Sequence, residues 1–276
     1  TVAHLRTLDV LPEIEAIHVH WLDGTDPSTL GAEVPLRKVV ATHQHLNSML
    51  GVQGLDAAVV CVRTDRCPDV LRAALAAGVP TLFEKPGALD ADTLWELANN
   101  ARRLGVTTGT FLSWRGHPAV THVRDAVRAG ALGNLLGVEG RMITSQVRYR
   151  DPSHWLFQRN RAGSGILSWL GCHFLDALCF MTDDTVAEVT AMVGRRNPEP
   201  IDVEDTACLA IRMHGGALGT FNAGYHLVGG ALGYMGPAYD TFLGLRGAHG
   251  YARLPLSEGA SVTLVSEAPG WREGGR

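Results

Sequence analysis

Leu55 to Val62 (Leu-Asp-Ala-Ala-Val-Val-Cys-Val) is a short, almost continuous apolar run, as expected of a strand covered on both faces in a parallel sheet. The segments downstream constrain the fold further. Pro68 to Ala77 reads as an Ala/Leu-rich helix stopped by Gly78, and Val79 to Phe83 as the next strand. Asp90 to Leu104 is an amphipathic helix closed by Gly105, ahead of a strand over Val106 to Leu112. Upstream, residues 3–9 have helical spacing, and Ile14 to Trp21 reads as a strand ending at Leu22-Asp23-Gly24. Residues 25–42 read as polar and irregular, and His43 to Leu50 as a helix. Strands alternating with helices at this spacing predict an α/β fold with a doubly wound parallel sheet.

Such a sheet binds ligands at the carboxyl ends of its strands. Phe83-Glu84-Lys85-Pro86-Gly87 stands at one of them. There Lys85 can hydrogen-bond a cofactor ribose and a substrate hydroxyl together, with Pro86 fixing the backbone that aims it; the alternative is an exposed turn lysine. Asp23 ends another strand, where a dinucleotide fold holds the ribose hydroxyls of NAD, or it is a turn former ahead of Gly24. The first strand and G-x-G-x-x-G turn of a dinucleotide fold would precede the helix near Ala3, and the sequence as given is expected to lack them.

With 24 basic residues against 28 acidic ones, the formal net charge is -4. No basic field marks a nucleic-acid or anionic-membrane partner. No apolar run approaches the roughly 18 residues of a membrane span, so a soluble, cytoplasmic protein is expected. The five cysteines are odd in number and form no C-x-x-C pair, which argues for reduced thiols rather than a disulfide framework. His18/His20 and His43/His45 lack helical ligand spacing, and no metal is expected.

In the second half, Ala162-Gly163-Ser164-Gly165 is a small-residue turn that opens a helix and allows close approach of backbone or ligand. Trp169, His173 and Asp176 come next at i, i+4 and i+7, which places them on one helical face. Asp176 can accept a hydrogen bond from one ring nitrogen of His173, leaving the other for proton transfer; a core histidine satisfied by a carboxylate is the alternative. Leu136 to Gln146, Val186 to Val193, Thr206 to Met213, Gly219 to Tyr225 and Thr241 to Leu245 read as strands joined by turns.

Glu84-Lys85-Pro86, Arg115-Gly116-His117-Pro118-Ala119, Gly130-Ala131-Leu132-Gly133, Trp155 to Asp176, Val203-Glu204-Asp205-Thr206-Ala207 and Gly247-Ala248-His249-Gly250 occur in that order. In this the chain resembles the glucose-fructose oxidoreductase and inositol dehydrogenase family over nearly its whole length. The resemblance implies a Rossmann domain over residues 1–117 and a C-terminal α/β domain over 118–276, built on an open, mostly antiparallel sheet that often serves in oligomer contacts. A homodimer or homotetramer is therefore expected.

It further implies NAD or NADP as cofactor and hydride transfer at a secondary alcohol or carbonyl of a sugar, cyclitol or related small molecule. Lys85 would touch nicotinamide ribose and substrate, and His173 would accept the proton. Asp23, Arg63, Thr64, Glu84, Lys85 and Pro86 form the expected cofactor-binding set, while Lys85, Trp155, Trp169 and His173 form the substrate-binding set. Two features depart from the family pattern. Trp169 stands where an aspartate is usual, and an indole cannot orient an imidazole as a carboxylate does; it suggests a flatter, apolar pocket able to stack on a sugar or an aromatic substrate. Val62 to Cys67 replaces a T-P-N-x-x-H loop, and its Arg63 and Arg66 can grip a phosphate or substrate carboxylate or be solvated loop residues. The alternatives to a sugar dehydrogenase are a non-catalytic binding or regulatory protein on the same scaffold and an oxidoreductase of unsaturated or aromatic compounds.

Overall fold

The structure, a computed structural model, describes residues 2–22, 36–228, 239–256 and 261–271. The chain divides into two compact units, 1–111 and 112–276.

The first unit alternates strand and helix. Helix α1 (Val2–Val10) leads to β1 (Ile17–His20), then β2 (Val39–His43) and α2 (Leu46–Leu50). After them come β3 (Ala58–Val60), α3 (Cys67–Ala76), β4 (Thr81–Phe83), α4 (Ala91–Leu104) and β5 (Thr108–Thr110). Every pairing is parallel, in one ladder of β1 with β2 and another of β3, β4 and β5.

The helix ends agree closely with the sequence. The Asp90 side chain accepts from the Thr93 N–H to cap α4, and Gly105 ends it in the left-handed region at φ 68°. Apolar residues of α3 and α4 (Val70, Leu71, Leu75, Leu97, Ala101) pack on Val60 as one small core. β2 lies within the stretch read as irregular. It is short and half-exposed, and long-range hydrogen bonds order its entry, from the Lys38 N–H to the Asp9 carboxylate (2.8 Å) and from the Ile17 N–H to the Lys38 carbonyl (2.7 Å).

The second unit is one seven-stranded sheet with helices on a single face. A turn over Ser113–Gly116 enters α5 (Pro118–Arg128), and the long β6 (Leu135–Ser145) comes after it. Residues 112–117, read from sequence with the first domain, pack here: the Trp114 ring lies 5.5 Å from that of Phe174 and 5.0 Å from that of His117. After β6 come α6 (Arg159–Ala162), a π-helical turn (Leu167–Gly171) and α7 (Cys172–Thr182). The remaining strands are β7 (Val186–Gly194), β8 (Thr206–Met213), β9 (Leu218–Leu227), β10 (Tyr239–Gly247), β11 (Gly250–Pro255) and β12 (Thr263–Ser266). Their order is β12-β11-β10-β6-β9-β8-β7, antiparallel except for β6 with β9.

Phe174, Leu178 and Met181 of α7 meet Val120 and Val123 of α5 over Met142, Phe221 and Leu243 of the sheet. Each large side chain buried here contributes roughly 2 kcal/mol, so this layer dominates the unit's stability. The helical stretch Arg159–Thr182 is, by length and composition, apolar enough to cross a membrane, which the sequence reading did not anticipate. Its Ile166, Phe174, Ala177, Leu178 and Met181 are committed to the sheet core.

Candidate active site

In the first unit, β3, β4 and β5 run parallel with Val60, Phe83 and Thr110 in register, so the residues just beyond them gather at one edge. The Glu84 N–H donates to the Val60 carbonyl (2.9 Å) and the Phe111 N–H to the Phe83 carbonyl (3.0 Å), extending the ladder into these loops. Lys85 and Pro86 come next, both half-buried and joined by a cis peptide bond. Gly87 is required by close packing, because a Cβ there would run into the Phe83 ring and the Leu94 side chain.

Glu84, expected beside the cofactor, is engaged within the protein. Its Oε1 pairs with His4 Nε2 at 2.7 Å, and the His4 ring lies 4.3 Å from that of Phe111. The pair fastens α1 to the end of β4. Arg63 is likewise held, its Nε and Nη2 donating to the two Asp65 carboxylate oxygens at 3.0 and 3.1 Å. Thr64 is buried at the entry to α3, its carbonyl accepting from the Cys67 N–H. Asp23 lies outside the described residues. Burial pushes the Cys61 thiol up to about 11 and the Cys67 thiol to about 12, so both are protonated at neutral pH.

In the second unit, Trp155, Trp169 and His173 are half-buried. The rings of Trp155 and Trp169 meet edge-on, 6.3 Å apart. The shared face expected of Trp169, His173 and Asp176 is modified by the π-helical turn, which widens the helix at Trp169. Asp176 accepts from Arg115 Nη2 and Nε at 2.6 and 2.8 Å, one bond to each carboxylate oxygen. The carboxylate expected to orient His173 is thus a bidentate partner of Arg115. That hydrogen bond, with the Asp176 charge, holds the Arg115 guanidinium above its ordinary range.

The start of the His173 helix is held by a residue to which the sequence reading gave no role. Glu204 is buried, and its Oε1 accepts from Ser164 Oγ and the Gly165 N–H (both 2.7 Å) and from the Leu167 N–H (3.2 Å). Its carbonyl takes the Ile166 N–H at 3.1 Å. A carboxylate at a helix start satisfies donors that the helix leaves unpaired. Gly165 permits the approach, since a Cβ there would overlap the Glu204 carbonyl. Nothing local marks Glu204 for this, because its partners lie about 40 positions away.

Residues 25–111 match the family model described as an oxidoreductase family with an NAD-binding Rossmann fold, and residues 120–253 match the GFO/IDH/MocA C-terminal domain. Together the two matches cover most of the chain, and it belongs to the GFO/IDH/MocA oxidoreductase family. Among curated relatives, the 1,5-anhydro-D-fructose reductase of Ensifer adhaerens is 28% identical over 182 residues, covering 64% of this chain and 53% of its own length. The myo-inositol dehydrogenase Hyg17 of Streptomyces leeuwenhoekii is 27% identical over 223 residues, with 76% and 66% covered. The chain therefore spans between half and two thirds of these relatives. A solved levoglucosan dehydrogenase in complex with NADH and levoglucosan superposes with a TM-score of 0.74 at 19% identity, over 84% of this chain and 62% of that one, a likeness of fold.

Proposed function

We propose that the protein is an NAD(P)-dependent oxidoreductase, with NAD the better-supported cofactor, that transfers hydride between the nicotinamide and a secondary alcohol or carbonyl of a sugar, cyclitol or related small molecule. The observation that carries the reading is Lys85, half-buried at the carboxyl edge of a parallel sheet in the family's Glu-Lys-Pro position. The names of the relatives, a sugar-derivative reductase and an inositol dehydrogenase, support the substrate class.

The donor chemistry at that edge fits a dinucleotide. The Lys85 ammonium, half-buried beyond β4, is suited to ribose hydroxyls and phosphate oxygens, whereas Thr64 is too deeply buried to meet them. Arg63 balances Asp65 rather than adding a cation for phosphate. When bound, the nicotinamide supplies the hydride donor or acceptor. Lys85 hydrogen-bonds the substrate oxygen and stabilises its alkoxide character, and His173 accepts the hydroxyl proton in the oxidative direction. Trp155 and Trp169 give an apolar wall for the ring of the substrate. Small-molecule chemistry in a cytoplasmic homo-oligomer goes with this reading.

Two observations favour a second reading, a protein that binds cofactor without turnover: Asp176 is engaged by Arg115, and Trp169 occupies the usual aspartate position. The test is calorimetric titration of the full-length protein with NAD and NADP, then absorbance assays with myo-inositol, levoglucosan and 1,5-anhydro-D-fructose. Turnover is expected on at least one of them, with His173→Ala lowering kcat about a hundredfold or more at unchanged NAD affinity and Lys85→Met removing activity in a folded protein. Dinucleotide binding without turnover on the whole panel selects the second reading, and absence of dinucleotide binding defeats both.

A further inference from the structure

The two residues before Lys85 belong to a closed circuit of contacts within the first unit. Glu84 Oε1 pairs with His4 Nε2 at 2.7 Å, between positions 80 apart in sequence. The His4 ring lies 4.3 Å from the Phe111 ring, inclined by 31°. The Phe111 N–H donates to the Phe83 carbonyl at 3.0 Å, and Thr110 Oγ1 donates to the same carbonyl at 3.2 Å. Phe83 precedes Glu84, so the circuit returns to its start. His4 is its member on α1, and it touches the residues that follow both β4 and β5.

A carboxylate only accepts, so His4 Nε2 is the donor whether the ring is neutral or protonated. Both ends of the bond are partly buried, with side-chain exposures of 25% and 35%, and a hydrogen bond to an ionised acceptor is stronger than a neutral one. The Glu84 backbone is fixed as well, its N–H donating to the Val60 carbonyl at 2.9 Å. Backbone and carboxylate together thus give residue 84 a single orientation. Successive side chains leave an extended chain in opposite directions, so the orientation of Glu84 sets the one that Lys85 takes.

We propose that His4 is a positioning residue for Lys85: seated on Phe111, it donates to Glu84 and fixes the chain end from which the Lys85 ammonium reaches the substrate oxygen. The proposal rests on the hydride-transfer reading of Lys85 and adds to it a residue that acts only through Glu84. A misplacement of about 1 Å at a reacting group is enough to cost about a hundredfold in rate, so loosening this chain end is felt in kcat.

The sequence offers a direct readout, because Lys38 and Lys85 are its only lysines. Lys38 reports on the seating of α1: its N–H donates to the Asp9 carboxylate at 2.8 Å and its Nζ to the Leu11 carbonyl at 2.6 Å. The full-length protein and its His4→Phe and His4→Gln variants are treated with trace acetic anhydride, and acetylation at each lysine is read by mass spectrometry against added Nα-acetyl-lysine amide. His4→Phe keeps a ring on Phe111 without a donor, and His4→Gln keeps a donor without a ring. In His4→Phe, Lys85 is expected to acetylate at least about threefold faster than in the native protein while Lys38 is unchanged. On a sugar or cyclitol that the native protein oxidises, kcat should fall between about tenfold and a hundredfold, with NAD affinity by calorimetry within about twofold. His4→Gln should stay within about twofold of the native protein in both readouts.

The proposal is overturned if Lys85 labels no faster in His4→Phe, or if kcat is native in that variant. It is equally overturned if Lys38 accelerates as much as Lys85, since the pair then merely fastens α1, or if His4→Gln behaves as His4→Phe, since ring packing is then the cause. A native protein that turns over no substrate defeats the hydride-transfer reading instead, and the acetylation rates by themselves then decide whether His4 places Lys85.

Discussion

At the level of single residues, Gly165 and Glu204 form a lock at the start of the helix that carries Trp169 and His173. Any side chain at Gly165 displaces the Glu204 carbonyl, and removal of the Glu204 carboxylate leaves the Gly165 and Leu167 N–H groups without their acceptor. Glu204→Ala is expected to lower stability by about 3 kcal/mol in urea unfolding, and Gly165→Ala by about 1–3 kcal/mol through overpacking. Glu204→Gln, which keeps an acceptor oxygen, should lose less than Glu204→Ala; equal losses would show that the carboxylate merely fills space. The small-residue turn at 162–165 was readable from the chain because glycine and serine advertise close approach, whereas the identity of the approaching group was not. The same holds for Glu84 and Arg63: their place at strand ends was readable, but their partners His4 and Asp65 are matters of side-chain geometry.

Among the elements, α5 and α7 are joined by an ion cluster as well as by their apolar faces. Arg124 Nη2 donates to Asp183 at 2.9 Å, and Arg128 Nε donates at 2.9 Å. Asp183 ends α7 in the left-handed region at φ 53°. These bonds hold its carboxyl below the usual carboxylate range, so the native state favours the ionised form. The resulting stabilisation is present above the ordinary carboxylate pKa and is lost as pH falls through the lowered one. Asp183→Asn keeps a residue that tolerates this backbone but removes the charge. Its melting temperature should fall below that of the native protein at neutral pH and converge with it in acid; a deficit independent of pH would assign the effect to the backbone instead.

Element identity was readable wherever the period was clear. The alternation in β8 is a direct consequence of one covered face, and α4 carries its own start and stop in Asp90 and Gly105. β2, β11 and β12 were missed: β2 and β12 are short and largely half-exposed or exposed, while β11 alternates but is brief, and its pairing with β10 comes from chain reversal at Ala248-His249. The π-helical turn escaped because nothing in an apolar helical pattern separates i→i+4 from i→i+5 bonding.

Across the whole molecule, the two units use their sheets differently. The first unit's parallel ladders carry a loop edge suited to a cofactor, while the second unit's sheet has one face exposed among the described residues. Across that face runs the row Met192, Cys208, Asn222, Arg141 on four adjacent strands, the flanking residues Ala207, Leu209, Phe221 and Ala223 being turned into the core. Met192 is 73% exposed and Leu218, on the same face, 56%. A protein assembled through this face should shift to smaller species in analytical ultracentrifugation when Met192→Glu and Leu218→Glu are combined, with unchanged circular dichroism; an unchanged sedimentation coefficient would remove the face from the assembly.

Fold class, strand–helix alternation and the position of Lys85 at a strand end are written into the chain itself, because periodicity, capping and chain breaks are local and carry their own signals. Only the folded molecule settles that Asp176 serves Arg115 and that Glu204 holds the start of the His173 helix. Each of these depends on which distant side chains a given backbone brings within hydrogen-bond reach, and no local pattern encodes such a distance.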